Sequence, residues 1–350
     1  MKRTRSIPVV LAGLVVVALL AACGGPTSGN SGSTADSGAK KGPFKIGLSV
    51  FFAGNSWQAE NIQLFKDACK GYGASVVSDC TVQNANGSTA QQIAQVQGMI
   101  NQKVDAILLD ANSATGLDAI TKKAMNAGIP VINYDSIVTG DATAKINTDQ
   151  LKWGQVTGKW LVDKLGGKGN IIVLNGLAGN PTNNLRYQDA KALFKKTPGI
   201  KVLGEAFAEW DQAKAQAAVS RMLDAYPKID GVWSQGGAMT AGAMIEFKKA
   251  GRKLVPMTGE DYNGFLKLWK ENKANGFTSL SPGQPNYLVT LSLEAAVRKL
   301  QGKTVPKTVD VPLPMITDAT VDQAYRPSEA PSYWTLDKLP QAQVDKLLGG

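Results

Sequence analysis

"VDAILLDANSATGLDAI", residues 104–120, and "IDGVWSQGGAMTAGAMI", residues 229–245, are two versions of one passage. In each, an acid opens a short apolar run, a polar turn follows, and small residues then recur at helical spacing. Asp105 stands over Asp230, and Thr115 over Thr240. Further on, "AGIPVINYD", ending at Asp135, matches "AGRKLVPMTGED", ending at Asp261. Both read as a helix, an Ala-Gly stop, an apolar strand and an acid. Glycine suits the left-handed turn that ends a helix. All βα units share this grammar, so similarity alone proves little. The informative part is an acid just past the carboxyl end of a strand in both copies, where open α/β sheets bind ligands. Two such halves, face to face, bring those ends together across a cleft.

The alternation extends outward from both copies. Strands at 45–52, 74–82, 104–109 and 130–134 alternate with helices at 57–70, 89–102 and 116–127. A second set has helices at 150–165, 183–196, 212–226, 238–250 and 263–271, with strands at 170–174, 201–207, 231–234 and 254–258. Near-continuous apolar strands between amphipathic helices indicate parallel sheets covered on both faces. The expected fold class is α/β, with two similar lobes.

Upstream, Lys2, Arg3 and Arg5 precede an uncharged run from Ile7 to Ala22, too short for a comfortable membrane span. It ends in Leu20-Ala21-Ala22-Cys23, then Gly24-Gly25. Small residues before a cysteine resemble a bacterial lipobox, with 1–22 as a lipoprotein signal peptide and Cys23 lipidated. An ordinary export signal with an incidental cysteine is the alternative. Residues 23–42, rich in Gly, Ser and Thr, read as a flexible linker that cannot bury enough surface to order itself. The expected place is therefore the extracytoplasmic face of the cell membrane. The two other cysteines, Cys69 and Cys80, either form a disulfide or are buried thiols, and export favours the bridge.

The formal net charge of +10 includes Lys2, Arg3 and Arg5, and falls to +7 without them. No long basic run occurs, and lysines alternate with acids as on a solvated surface, so nucleic acid is not an expected partner. The chain contains no histidine. Ser-His-Asp and Cys-His nucleophile systems, His-ligated zinc and His general bases are thereby excluded. Carboxylate-only hydrolysis survives this cut. "GLAGN" after Leu174 lacks dinucleotide-loop spacing, "GGKGN" precedes a strand, and no Walker A loop occurs, so no nucleotide, metal or other cofactor is expected.

Several residues fall where a cleft would lie. Asn55 and Trp57 stand between the first strand and the next helix. Asn55 there is either a helix cap or a ligand contact, and Trp57 either core or a stacking face. An indole beside an amide suits a sugar ring, whose C–H faces pack on aromatic carbon while its hydroxyls take directed hydrogen bonds. Asp135 and Asp261 end strands in the two lobes. Arg186 follows "NGLAGNPTNN", where its fork of donors is able to hold ring and hydroxyl oxygens. Trp210, in "AEWDQ", offers a second stacking face.

These residues resemble the type I periplasmic-binding-protein group of sugar-binding proteins, nearest its ribose-binding branch. The resemblance covers about 44–303 and rests on "KIGLSV…GNSW", "VDAILL" with "AGIPVINYD", "INTDQ", "LNGLAGNPTNNLR", "EWD", "VWSQ…TAGAM", "TGED" and "QPNY". It implies an α/β fold of two Rossmann-like lobes joined by a three-crossing hinge. The first lobe would be 44–147 plus 279–308 and the second 148–278, with 309–350 a C-terminal extension packing on the hinge side. It implies ligand-binding positions at Asn55, Trp57, Asp135, Arg186, Trp210, Asp261 and, at the third crossing, Gln284. Gln235 joins them from "VWSQ". Departures from the pattern are Gln58 for a second aromatic, Ser136 for Arg, Gly236-Gly237 for Asn-Asp, and Glu260 for an aromatic. They imply a roomier, less cationic and more acidic site, open to a hexose, a polyol or an amine-bearing sugar. The implied function is that of a monomeric, lipid-anchored receptor, not an enzyme. It would deliver a sugar or polyol to the separate permease and ATPase chains of an ABC importer, closing about a ring held between Trp57 and Trp210. The rivals are a receptor for a signalling sugar or nucleoside, and a glycosidase using Asp135 with Asp261 or Glu260.

Overall fold

The computed structural model describes residues 39–349. The chain opens with β1 (Phe44–Val50), α1 (Ser56–Tyr72), β2 (Val77–Asn84), α2 (Thr89–Asn101), β3 (Ala106–Leu109), α3 (Asp118–Asn126), β4 (Val131–Tyr134) and β5 (Ala144–Asn147). It continues with α4 (Gln150–Lys164), β6 (Lys168–Asn175), α5 (Pro181–Lys196), β7 (Gly199–Phe207), α6 (Gln212–Ala225), β8 (Gly231–Ser234), α7 (Gly237–Lys249) and β9 (Met257–Thr258). Then come α8 (Asn263–Lys273), β10 (Ser279–Pro282), α9 (Leu288–Leu300), β11 (Thr308–Asp310), β12 (Met315–Thr317), α10 (Val321–Ala324) and α11 (Gln341–Leu348).

Two six-stranded sheets result, one per lobe. The first runs β11-β5-β4-β3-β1-β2 and is wholly parallel. The second runs β12-β10-β9-β8-β6-β7, with only β12 antiparallel. Strands β3 (AILL) and β4 (VINY) are buried at every residue, as helices on both faces require. Side-chain caps start the helices that face the site. Asn55 accepts from Gln58 N at 2.9 Å at α1, and Asn180 accepts from Asn183 N at α5.

The lobe boundaries differ from those expected. Strand Ser279–Pro282 pairs with β9 in the second sheet, so the return to the first lobe begins after it, at 283–287. Strand β10, four residues long, carries too little periodicity of its own to assign from sequence.

The tail does more than pack along one side. Strand β11 belongs to the first sheet and β12 to the second. Val344 and Leu348 of α11 then return to the core of the first lobe. The chain thus passes between lobes four times, not three.

Cys69 and Cys80 are joined by a disulfide that ties the end of α1 to β2. The expected signal peptide, the expected lipidation site Cys23 and the expected linker as far as residue 38 lie outside the described residues. At the linker's end, Lys40 N donates to Leu300 O at 2.8 Å and its ammonium pairs with Asp105 at 3.3 Å, so docking starts before residue 42.

Candidate functional site

The carboxyl ends of both sheets converge on one cavity between the lobes, enclosing, with its mouth, about 340 Å³. Its apolar walls are Phe51, Trp57, Trp210 and Trp334, and its polar ones are Asn55, Gln58, Asp135, Thr182, Arg186, Glu260 and Gln284.

Each residue is held by the element that carries it. Trp57 sits in the first turn of α1, and its indole N–H donates to Gln284 O at 2.8 Å. Gln58 donates to the buried Asp110 at 2.6 Å. Asn55, besides capping α1, donates across the cleft to Glu209 O at 3.3 Å. Asp135 follows β4 with φ 53°, a left-handed conformation that is uncommon without glycine and turns its carboxylate inward. That carboxylate accepts from Gln284 Nε2 and from Ser136 Oγ. Trp210 and its neighbour Glu209 are also left-handed, at φ 55° and 54°. The Trp210 ring occupies space that Gly176 and Gly236 leave open, and Phe51 meets it edge-on at 6.3 Å.

Arg186, 1 % exposed, is the cationic centre. It pairs with Glu260 at 2.7 Å and donates to Gln150 Oε1 at 2.7 Å and Gln235 O at 2.9 Å. Its guanidinium lies 4.4 Å from the Trp153 ring centroid. Gln284 Oε1 accepts from Thr148 at 2.7 Å and Gln150 at 2.9 Å, while its amide nitrogen serves Asp135. Gln284, on the second crossing and not the third as expected, thus joins the acid of the first lobe to the arginine system of the second.

Burial dominates the titration of this cluster. It raises Asp110 and Asp135, the latter against the pull of Arg186. It pushes Glu260 up to about 8, again against Arg186, and Asp261 up to about 7. Among the described residues no group of three or more His, Cys, Asp or Glu side chains is placed to hold a metal ion. The arrangement offers aromatic faces, carboxylates, amides and one guanidinium to a small polyhydroxylated molecule.

Of the expected residues, Asn55, Trp57, Gln58, Asp135, Arg186, Trp210, Glu260 and Gln284 line the cavity. Two do not. Asp261 points away, its carboxylate accepting from Leu336 N at 3.0 Å. Gln235 lies behind the wall, its amide donating to Asn175 at 2.9 Å and Asn183 at 3.0 Å, while its carbonyl accepts from Arg186. Of the two acid pairs open to the glycosidase reading, Asp135–Asp261 is therefore not assembled around the cavity, whereas Asp135 and Glu260 both line it. Phe51, Thr182 and Trp334 were missed. Phe51 read as the end of a strand and Thr182 as loop. Trp334 lies 124 residues beyond Trp210 in a tail without internal pattern.

Residues 46–304 match the model of the family described as periplasmic binding protein domain. A xylitol-binding protein of Mycolicibacterium smegmatis is 30% identical over 321 residues, which is 90% of this chain and 86% of that protein. A ribose import binding protein of Bacillus subtilis is 25% identical, covering 81% of this chain and 90% of the relative. A crystal structure of an ABC transporter solute binding protein from Thermobispora bispora superposes with a TM-score of 0.79 at 27% identity, covering 88% and 95% of the two chains.

Proposed function

The chain belongs to the periplasmic binding protein domain family, and from that membership we propose that it captures a monosaccharide or related polyol and hands it to an ABC importer. The observation that carries this reading is an interlobe cavity in which three indoles and a phenyl ring stand beside Asp135, Arg186 and Glu260. The names of its xylitol-binding and ribose-importing relatives point to the same ligand chemistry.

In the mechanism, ligand C–H faces pack on the rings, while hydroxyls bridge Asp135 and Asn55 of the first lobe to Arg186 and Glu260 of the second. Such a ligand binds the closed arrangement more tightly than an open one, and the difference drives closure. The ligand leaves chemically unchanged, taken up by permease and ATPase subunits that are separate chains. Cys23 carries a lipid that holds the receptor on the extracytoplasmic face of the membrane, and Cys23→Ser should release it to the soluble fraction.

The direct test is a tryptophan fluorescence titration against pentoses, hexoses, alditols and their phosphates. A saturable change with at least one neutral sugar or polyol is expected, and its loss in Asp135→Ala. Silence across the series overturns the reading.

A further inference from the structure

Residues 331–336 run between the lobes and bond to both. On the second-lobe side, Gly264 N donates to Pro331 O and Asn263 N to Tyr333 O, each at 2.8 Å, and Thr335 N donates to Asp261 O at 3.2 Å. Tyr262 and Trp334 also form an antiparallel bridge. The segment is thus fixed to the start of α8.

Trp334 bonds in the opposite direction. Its backbone N–H donates to Glu60 Oε2 at 2.9 Å and its indole N–H to Ser56 Oγ at 3.1 Å, both on the opening turns of α1 in the first lobe. Its ring is 1 % exposed and forms cavity wall. Beyond it, Tyr287 N donates to Leu336 O at 3.2 Å, and α11 is held to the first lobe by the Arg298–Asp345 pair.

We propose that in residues 331–336, the fourth interlobe crossing, Trp334 contacts the ligand and sets the upper size of the ligand the cavity takes. The inference rests on the sugar or polyol reading above. The indole N–H is already engaged by Ser56, so Trp334 contributes shape and apolar surface rather than a hydrogen bond. Trp57 and Trp210 are positioned by other groups, Gln284 O and the gap at Gly176 and Gly236. The wall supplied by the tail therefore varies without moving theirs. A small-molecule site is tuned in this way when one bulky residue arrives on a segment outside the two-lobe core.

The test compares wild type with Trp334→Phe, Trp334→Ala and, as a control on the exposed part of the crossing, Ser332→Ala. Calorimetric titrations use four-, five- and six-carbon alditols and the matching aldoses, with thermal melting recorded for each variant. Trp334→Phe is expected to weaken the best ligand about ten-fold and to shift relative preference toward the longer members. Ser332→Ala should match wild type. Trp334→Ala extends the shift if it folds, and Trp334→Phe decides the matter if it does not. Variants that keep the wild-type rank order, whether at unchanged affinity or uniformly weakened, overturn the inference and leave the ligand class standing. Wild type that binds no member of the series overturns both.

Discussion

Gly176 carries no side chain where the Trp210 indole passes. A Cβ built there would lie 2.1 Å from the ring, and one at Gly236 would lie 2.8 Å from it. This explains why glycine stands at 236, where the resemblance suggests a larger polar residue: the space belongs to an indole from another loop. The Gly176 backbone is not left-handed, so alanine is excluded by the ring rather than by φ. Gly176→Ala should leave a folded protein, destabilised by roughly 1–3 kcal/mol as overpacked sites are, with ligand affinity reduced about ten-fold or more as Trp210 is displaced. Paired denaturation and titration measurements check this, and unchanged affinity would show that Trp210 is not a ligand-contacting wall. The same scale shows what sequence hid. Glu260 and Asp261 are adjacent acids, and the repeat singled out Asp261. In the fold Glu260 meets Arg186, while Asp261 receives backbone N–H groups from residues 335 and 336, far along the chain. No local pattern encodes which of two neighbouring carboxylates turns inward.

At the scale of elements, α1 links two functions. Its N-terminal turn presents Trp57 and Gln58 to the cavity, and its other end is fastened to β2 through Cys69–Cys80. A bridge closing a loop this short restricts the unfolded chain by about 3 kcal/mol at most. Cys69→Ala/Cys80→Ala should therefore unfold at lower urea concentration, with about 2–3 kcal/mol lost. Ligand affinity should stay within about two-fold, because the cavity end of α1 is held separately by the Asn55 cap and the Trp57–Gln284 bond. Urea unfolding and ligand titration of the same two preparations decide it, and a collapse in affinity would mean that the bridge positions the site. The long helices and the buried strands of the first lobe were legible because their periodicity and caps agree with their packing. Strands β10 and β12 were not, since strands of three or four residues are placed by their partners, β10 between β9 and β12 and β12 at the edge. The fourth crossing was illegible for the same reason: residues 331–336 are ordered by contacts with Asp261, Asn263 and Glu60, not by any pattern of their own.

For the whole molecule, burial of acids where the lobes meet has a measurable consequence. Burial raises Glu60 and Asp261 to about 7 and Glu260 to about 8, from ordinary values of 4.5, 3.8 and 4.5. Mutual repulsion adds to the effect, Asp261 acting on both glutamates, while Arg186 opposes it at Glu260. Two of the three also receive the tail, Glu60 from Trp334 N and Asp261 from Leu336 N. A carboxyl whose pKa is higher folded than unfolded holds its proton more tightly in the folded state. Its contribution to stability is complete below the unfolded value and is lost as pH rises through the folded one. Asp322 and Asp345 are shifted the other way, so their contribution is complete above an ordinary value of 3.8 and is constant across neutrality. With no histidine in the chain to titrate between, the slope from about pH 4.5 to 8 belongs to the buried carboxyls. Stability should therefore fall as pH rises across that window, with a higher urea midpoint at pH 5 than at pH 8.5. Glu260→Gln and Asp261→Asn should each flatten the slope, because neither amide has a proton to lose. A midpoint that stays level or climbs toward pH 8.5 in the wild type would mean that these acids are ionised throughout, held by Arg186 and the tail's N–H groups against the cost of burial.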